Sequence, residues 1–291
     1  MRIIETIADI RSLVFEARAE GLRVGFVPTM GNLHAGHMSL VAASKSRTNF
    51  TVVSVFVNPF QFSQGEDFGT YPRTKEADVD QLARAGVDVL FLPEAKTIYP
   101  GGTESITRVE VPGLGHELCG AFRPHFFRGV CTVVNLLLNI VAADVAFFGE
   151  KDYQQLIIVK RMVRDLHIPT EIVGLATIRE KDGLAMSSRN AYLGEHQRAC
   201  APALYHTLGT LASGLVAGER DYGTAEKVAI QSLKESSFEP DYVSVRNAFD
   251  LSSPAPSNRE LIVLGAAWLG STRLIDNVRV RLPGMLQESL K

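Results

Sequence analysis

The chain has 291 residues, 46% hydrophobic and 21% charged, with a formal net charge of −2. That composition predicts a globular protein with ample core and no basic field for nucleic acid as main partner. Cys119, Cys131 and Cys200 form no CxxC pair, which argues against a disulfide framework and a cysteine zinc site. No run approaches ~18 uninterrupted apolar residues, so no membrane span is expected. The N-terminus acquires Glu5 at once and lacks an apolar leader core, which predicts a cytoplasmic protein.

Ile3, Ile7, Ile10, Leu13, Val14 and Ala17 recur at helical spacing, with Gly21 as the stop. Residues 23–27 read as a buried strand leading into a turn that contains His34, Gly36 and His37, and a helix follows from about Met38. Residues 51–57, β-branched and apolar throughout, read as a central parallel strand ending at Asn58, Pro59 and Gln61. A loop over 66–73, a helix over 75–85 and a strand over 87–92 follow. The Gly- and Pro-rich stretch 93–120 is expected to carry one short strand at 106–111. A buried helix spans 127–141, and a strand over 144–148 delivers Gly149, Glu150, Lys151 and Asp152. A helix over 153–166 and a strand at 171–173 complete the alternation.

Strands alternating with helices predict a doubly wound, Rossmann-like parallel sheet over residues 1–177. Beyond Ile178 the order changes to helices at 195–217 and 224–236, then strands at 242–246, 261–268 and 273–280. That order predicts a smaller α+β domain over 178–291.

Four polar clusters fall at strand ends or loops: residues 29–37, Asn58 with Gln61, residues 149–152 with Gln155, and residues 179–189. A strand, a glycine turn and a helix can offer backbone N–H groups to phosphate, and two imidazoles in the first turn can hold an anion. Ser187, Ser188 and Arg189 suit a phosphate tail, and Lys151 adds a second cation. Each cluster has a plainer reading. An HxxH pair commonly caps a helix, a Lys-Asp pair is commonly a solvated ion pair, and Asn58 can cap a proline turn. No third ligand stands beside the histidines at metal spacing. GxxxxGK[ST], GxGxxG and GxSxG are absent, which disfavours P-loop, dinucleotide and α/β-hydrolase chemistry.

His34-Ala35-Gly36-His37 with Met186-Ser187-Ser188-Arg189 resembles the HxGH and KMSKS-type signatures of the nucleotidyltransferase superfamily. Residues 26–40, 54–62, 71–74, 147–156, 182–193 and 266–277 together resemble the pantoate–β-alanine ligase family, from Ile3 to about Asn277. The resemblance implies adenylation of pantoate by ATP, followed by attack of β-alanine on the acyl adenylate. It implies ATP contacts from Met30, Gly31, Asn32, Leu33, His34, Ala35, Gly36 and His37, with His37 as the catalytic proton donor. Gly149, Glu150, Lys151, Asp152, Ile178, Met186, Ser187, Ser188 and Arg189 complete the implied ATP site. Gln61 and Gln155, with Pro28, Thr29 and Met30, are the implied pantoate and β-alanine pocket. Mg²⁺ is implied as a passenger on the triphosphate, with no protein metal cage, and a homodimer as the assembly.

One stretch departs from the family. Arg123-Pro124-His125-Phe126-Phe127 stands where the family has Arg-Pro-Gly-His-Phe, so a loop that needs a positive φ at the glycine is strained here. Two other readings fit the same clusters. One is a superfamily member that transfers a nucleotidyl group to a phosphorylated acceptor, which the uncharged Gln61 and Gln155 disfavour. The other is a nucleotide sensor without catalysis.

Overall fold

In the computed structural model, which describes residues 1–63 and 65–283, the chain divides into two compact units. The first comprises residues 1–178 together with Met186–Ser188; the second comprises Arg179–Ala185 and the chain from Arg189 onward.

The first unit contains, in order, β1 (Arg2–Ile4), α1 (Ile7–Ala19), β2 (Val24–Thr29), α2 (Ala35–Arg47), β3 (Phe50–Val55), α3 (Lys75–Arg84) and β4 (Val89–Phe91). Then come α4 (Ala95–Ile98), α5 (Cys119–Phe122), α6 (Phe126–Val141), β5 (Val145–Gly149), α7 (Tyr153–Asp165) and β6 (Glu171–Leu175). The sheet order is β1-β4-β3-β2-β5-β6, and every recorded pairing is parallel. Chain order runs outward from β2 to β3 and β4 on one side and to β5 and β6 on the other. The switch point, where such sheets bind ligands, therefore lies at the carboxyl ends of β2 and β5. β2 and β5 pair at Gly25↔Val145 and Phe26↔Ala146, below their carboxyl ends. Below them, Val27, Val53, Leu90, Val145 and Phe147 pack with Leu40 and Val41 of α2 and Leu82 of α3.

Three expectations need correction. Ile3 lies in a strand, because Thr6 accepts the Asp9 N–H (3.2 Å) and so starts α1 after it, leaving residues 2–4 to pair with β4. The strand expected at 106–111 does not form. The Val109 N–H there goes to Thr132 Oγ1 on α6 (3.0 Å) instead of to a neighbouring strand. The long helix expected over 195–217 breaks into α8 (Glu195–Cys200) and α9 (Ala203–Val216), because Pro202 removes an N–H and its ring blocks continuation.

The second unit continues with α10 (Tyr222–Glu235) and an antiparallel sheet of β7 (Glu239–Asn247), β8 (Glu260–Leu269) and β9 (Thr272–Arg281). Leu204, Leu208, Leu211 and Leu215 of α9 pack on Leu261, Val263, Ala267 and Val280. Residues 179–185 form a small hairpin, closed by an Arg179↔Ala185 bridge. Arg179 pins it: the guanidinium bonds both oxygens of the buried Asp276 (2.6 and 2.9 Å), donates to the carbonyls of Gly183 and Asn277, and lies 3.7 Å from the Tyr205 ring centroid.

Candidate active site

At the end of β2, Thr29 Oγ1 donates to the Ser54 carbonyl (2.8 Å) and accepts the Gly31 N–H (3.2 Å). The chain then turns through Gly31 (φ +82°) and Asn32 (φ +50°), both left-handed. Glycine suits position 31 on two counts: a side chain is strained at that φ, and its Cβ would meet Val55 Cγ1 at 2.9 Å. The turn is held by Asp78, a residue of α3 only 4% exposed. Its carboxylate accepts N–H bonds from Asn32 (2.9 Å) and Leu33 (2.8 Å) and the Thr74 hydroxyl (3.1 Å).

The two imidazoles then cap α2. His34 is the N-cap residue and its Nδ1 accepts the Gly36 N–H (3.1 Å); His37 Nδ1 accepts the His34 N–H (3.3 Å). The rings lie 4.1 Å apart, centroid to centroid. An Nδ1 that accepts carries no proton, so each neutral ring keeps its hydrogen on Nε2. This geometry corrects the expected chemistry of the turn. The N–H groups of Gly31, Asn32, Leu33, His34 and Gly36 are already bonded inside the protein. What the pair retains for an anion is two Nε2–H donors.

Both rings are held neutral. Burial, above all, lowers His37 to about 3, helped by the neighbouring His34 ring and by Lys151 and opposed by Asp152. His34 is lowered by burial and then by Lys151, again against Asp152. In the unliganded protein the pair therefore offers hydrogen bonds at neutral pH rather than positive charge. The stability consequence has a definite sign. Between about 6.5 and 3 the unfolded chain binds the His37 proton and the folded one does not, so stability rises with pH there. Urea midpoints of the wild type are expected to fall as pH drops from 6.5 toward 4, and His37→Gln should flatten that dependence. An imidazole NMR titration of His37 centred near 6.5 would contradict this.

At the end of β5, Gly149 leads into a 3-10 turn, Glu150–Asp152, with Lys151 Nζ 3.7 Å from Asp152 Oδ2. Lys151 and Asp152 both act electrostatically on the two histidines, so clusters separated by more than a hundred residues share one field. Ser188 Oγ donates to the Asn32 carbonyl (3.2 Å), and Met186 N–H to the Ile178 carbonyl (3.0 Å). A Cβ at position 36 would sit 3.9 Å from Met186 Cβ. Met186, Ser187, Ser188 and Ile178 thus share the first unit with Met30, Ala35 and the rest of the turn, whereas Arg189 belongs to the second unit.

On the other side of β2, Gln61 is buried on the 3-10 turn Pro59–Gln61. Its Nε2 lies 3.1 Å from Met30 Sδ and its Oε1 accepts from Asn58 Nδ2 (3.1 Å). Pro28 is half-buried in β2. Gln155 is half-buried in the first turn of α7, and its side chain makes no hydrogen bond to the described residues. Its neighbour Gln154 is structural, tied to Leu114, Glu117 and Cys119 backbone.

The strain expected at the altered loop is present: His125, at the glycine position, has φ +71° at the start of α6. Arg123 beside it is committed to Glu66 (2.6 and 2.7 Å) and to the face of Phe126 (3.7 Å).

Asp78 is the residue that the motif reading missed. It had a signal, since it falls one helical turn before the buried Leu82 on the apolar face of α3.

Comparison with known proteins bears on this geometry. The family described as pantoate-beta-alanine ligase matches residues 2–279. A pantothenate synthetase of Pseudomonas aeruginosa (strain UCBPP-PA14) is 50% identical over 97% of the chain and all of its own length. The one from Ectopseudomonas mendocina is 52% identical over 98% and 100%. The crystal structure of pantothenate synthetase from Thermus thermophilus superposes with a TM-score of 0.89 at 42% identity, covering 97% of this chain and 100% of that one. That of the Francisella tularensis pantoate-beta-alanine ligase complexed with beta-gamma ATP and beta-alanine has a TM-score of 0.80 at 34% identity, covering 96% and 97%. With identity of this order along nearly its whole length, and the same two-part fold, the chain belongs to the pantoate–β-alanine ligase family.

Proposed function

We infer that the protein joins (R)-pantoate to β-alanine at the expense of ATP. A pantoate carboxylate oxygen attacks the α-phosphorus and pyrophosphate leaves. The amine of β-alanine then attacks the acyl carbon, AMP leaves, and the nitrogen gives its extra proton to solvent. The observation that carries this reading is the pairing, at the sheet's switch point, of a neutral imidazole pair under the influence of Lys151 with a buried, uncharged amide, Gln61, lying against Met30. Phosphate charge meets N–H donors and a cation on one side, and an uncharged acid-binding pocket lies on the other. Such a site works by positioning, by charge stabilisation and by keeping water from the acyl adenylate.

In this reading residues 30–37, 149–152, Ile178 and 186–189 hold ATP. His34 and His37 donate from Nε2 to phosphate oxygens, and Lys151, Ser187, Ser188 and Arg189 share the charge. His37 is the catalytic donor, offering its Nε2–H to the transition state; in the unliganded protein the ring is neutral and that N–H is only weakly acidic. Gln61 and Gln155 hold pantoate against Pro28, Thr29 and Met30. Mg²⁺ rides on the triphosphate, coordinated by phosphate oxygens and water. Among the described residues no group of three His, Cys, Asp or Glu side chains is arranged to hold a metal. Residues 1–177 bind the substrates and 178–291 act as the lid, in a cytoplasmic homodimer.

The test is pantoate-dependent exchange of labelled pyrophosphate into ATP without β-alanine, then AMP formation once β-alanine is added. Positive results in both halves of the assay support the reading. ATP binding without exchange would replace it with a nucleotide sensor, and a dinucleotide-like product would point to transfer onto a phosphorylated acceptor.

A further inference from the structure

Tyr99 follows α4 directly and is 3% exposed, packed beside Phe56 and Phe60 with ring centroids 6.1 and 6.4 Å away. Its hydroxyl donates to Asn58 Oδ1 at 2.7 Å, and burial keeps the phenol protonated far above the ordinary range. Asn58 is 1% exposed, and two backbone groups decide which way its carboxamide faces. Oδ1 also accepts the Phe60 N–H (3.2 Å), and Nδ2 donates to the Gly129 carbonyl (3.2 Å). Reversing the amide would oppose donor to donor at Phe60 and acceptor to acceptor at Gly129, so a single orientation survives. The order then propagates. Asn58 Nδ2 presents a hydrogen, Gln61 must answer with Oε1, and Gln61 is left with its NH₂ group on the Met30 side.

We propose that Tyr99 is a positioning residue for acid recognition: its hydroxyl anchors the Asn58 carboxamide in the orientation that the backbone sets, and Asn58 in turn holds Gln61 with its N–H donors turned toward Met30. The proposal rests on the reading that Gln61 binds pantoate. A pocket that presents N–H donors takes hydroxyl and carboxylate oxygens, and it disfavours an ammonium at the same place. A hydroxy acid is accepted and its amino-acid analogue is turned away. Tyr99 touches no substrate in this scheme.

The test compares Tyr99→Phe, Gln61→Ala and the double variant, with KM for pantoate and for ATP measured separately in the exchange assay. Tyr99→Phe keeps the ring and its packing, so the fold is retained. It is expected to raise KM for pantoate about 3- to 10-fold, the worth of one lost hydrogen bond, with KM for ATP unchanged. In the Gln61→Ala background the same substitution is expected to add nothing, because the relay has lost its last member. A Tyr99→Phe variant with unchanged KM for pantoate overturns the relay. So does an undiminished penalty in the Gln61→Ala background, or an equal rise in both KM values, since each marks a structural role. If wild-type protein shows no pantoate-dependent exchange at all, the functional reading falls and takes the relay with it.

Discussion

Asp78→Ala is expected to lose about 3–5 kcal/mol of stability and at least ~100-fold in kcat/KM. One carboxylate accepts from two backbone N–H groups and a hydroxyl, and it sits almost out of solvent. Each donor left without a partner costs about 1–3 kcal/mol. The turn it holds is left-handed at two successive residues, and without Asp78 its backbone keeps, among the described residues, the bonds from Gly31 to Thr29 and from Ser188 to the Asn32 carbonyl. That turn sets His34 and His37, and a misplacement of about 1 Å in such groups costs on the order of 10²-fold in rate. Asp78→Asn is expected to fall between, since its single acceptor oxygen serves one N–H while its NH₂ opposes the other. Urea unfolding and steady-state kinetics on the same preparations check both. An Asp78→Ala protein of wild-type activity would show that the turn is held some other way.

Gly129→Ala is expected to reduce kcat/KM about 10- to 100-fold and stability by about 1–3 kcal/mol. The added methyl would lie 2.5 Å from the Phe60 carbonyl oxygen and 2.6 Å from Gln61 Cα. Both are backbone atoms, which cannot rotate aside, so α6 and the 3-10 turn must separate and Gln61 moves with the turn. Gly209→Ala provides the control. It is also inside a helix, but nothing lies within 4 Å of its Cβ position, so it should be neutral or stabilise by about 1 kcal/mol. Equal behaviour of the two variants would show that the contact at Gly129 does not constrain Gln61.

The two histidines show how far motif reading reaches. Their spacing flags an anion site, and it equally fits a helix cap; the structure makes both true at once, because Nδ1 caps and Nε2 is left over. What no local reading supplies is the protonation state, which burial decides first, with Lys151 and Asp152 acting on both rings from more than a hundred residues away. Gln61 is similar. Its place at the end of β3 is visible from the β-branched run before it, but the way its amide faces is set through Asn58 by the Phe60 N–H and the Gly129 carbonyl. The strain at His125 was legible from the departure from the family pattern, because a left-handed residue that is not glycine carries a local cost.

By itself the sequence determined what depends on near neighbours. Strand and helix identity follow from periodicity, and the parallel, doubly wound class follows from their alternation. The family follows from motifs that keep their spacing along nearly the whole chain. Helix limits were less secure where a single cap or proline outvotes the pattern, as Thr6 and Pro202 do. The tertiary structure alone decided which backbone donors of the histidine turn are already spent, on Asp78 and on the imidazoles themselves. It alone decided that the imidazoles are neutral and that the Gln61 amide faces one way. Hydrogen-bond orientation and desolvation depend on groups brought together from distant parts of the chain, and spacing along a sequence carries no record of them.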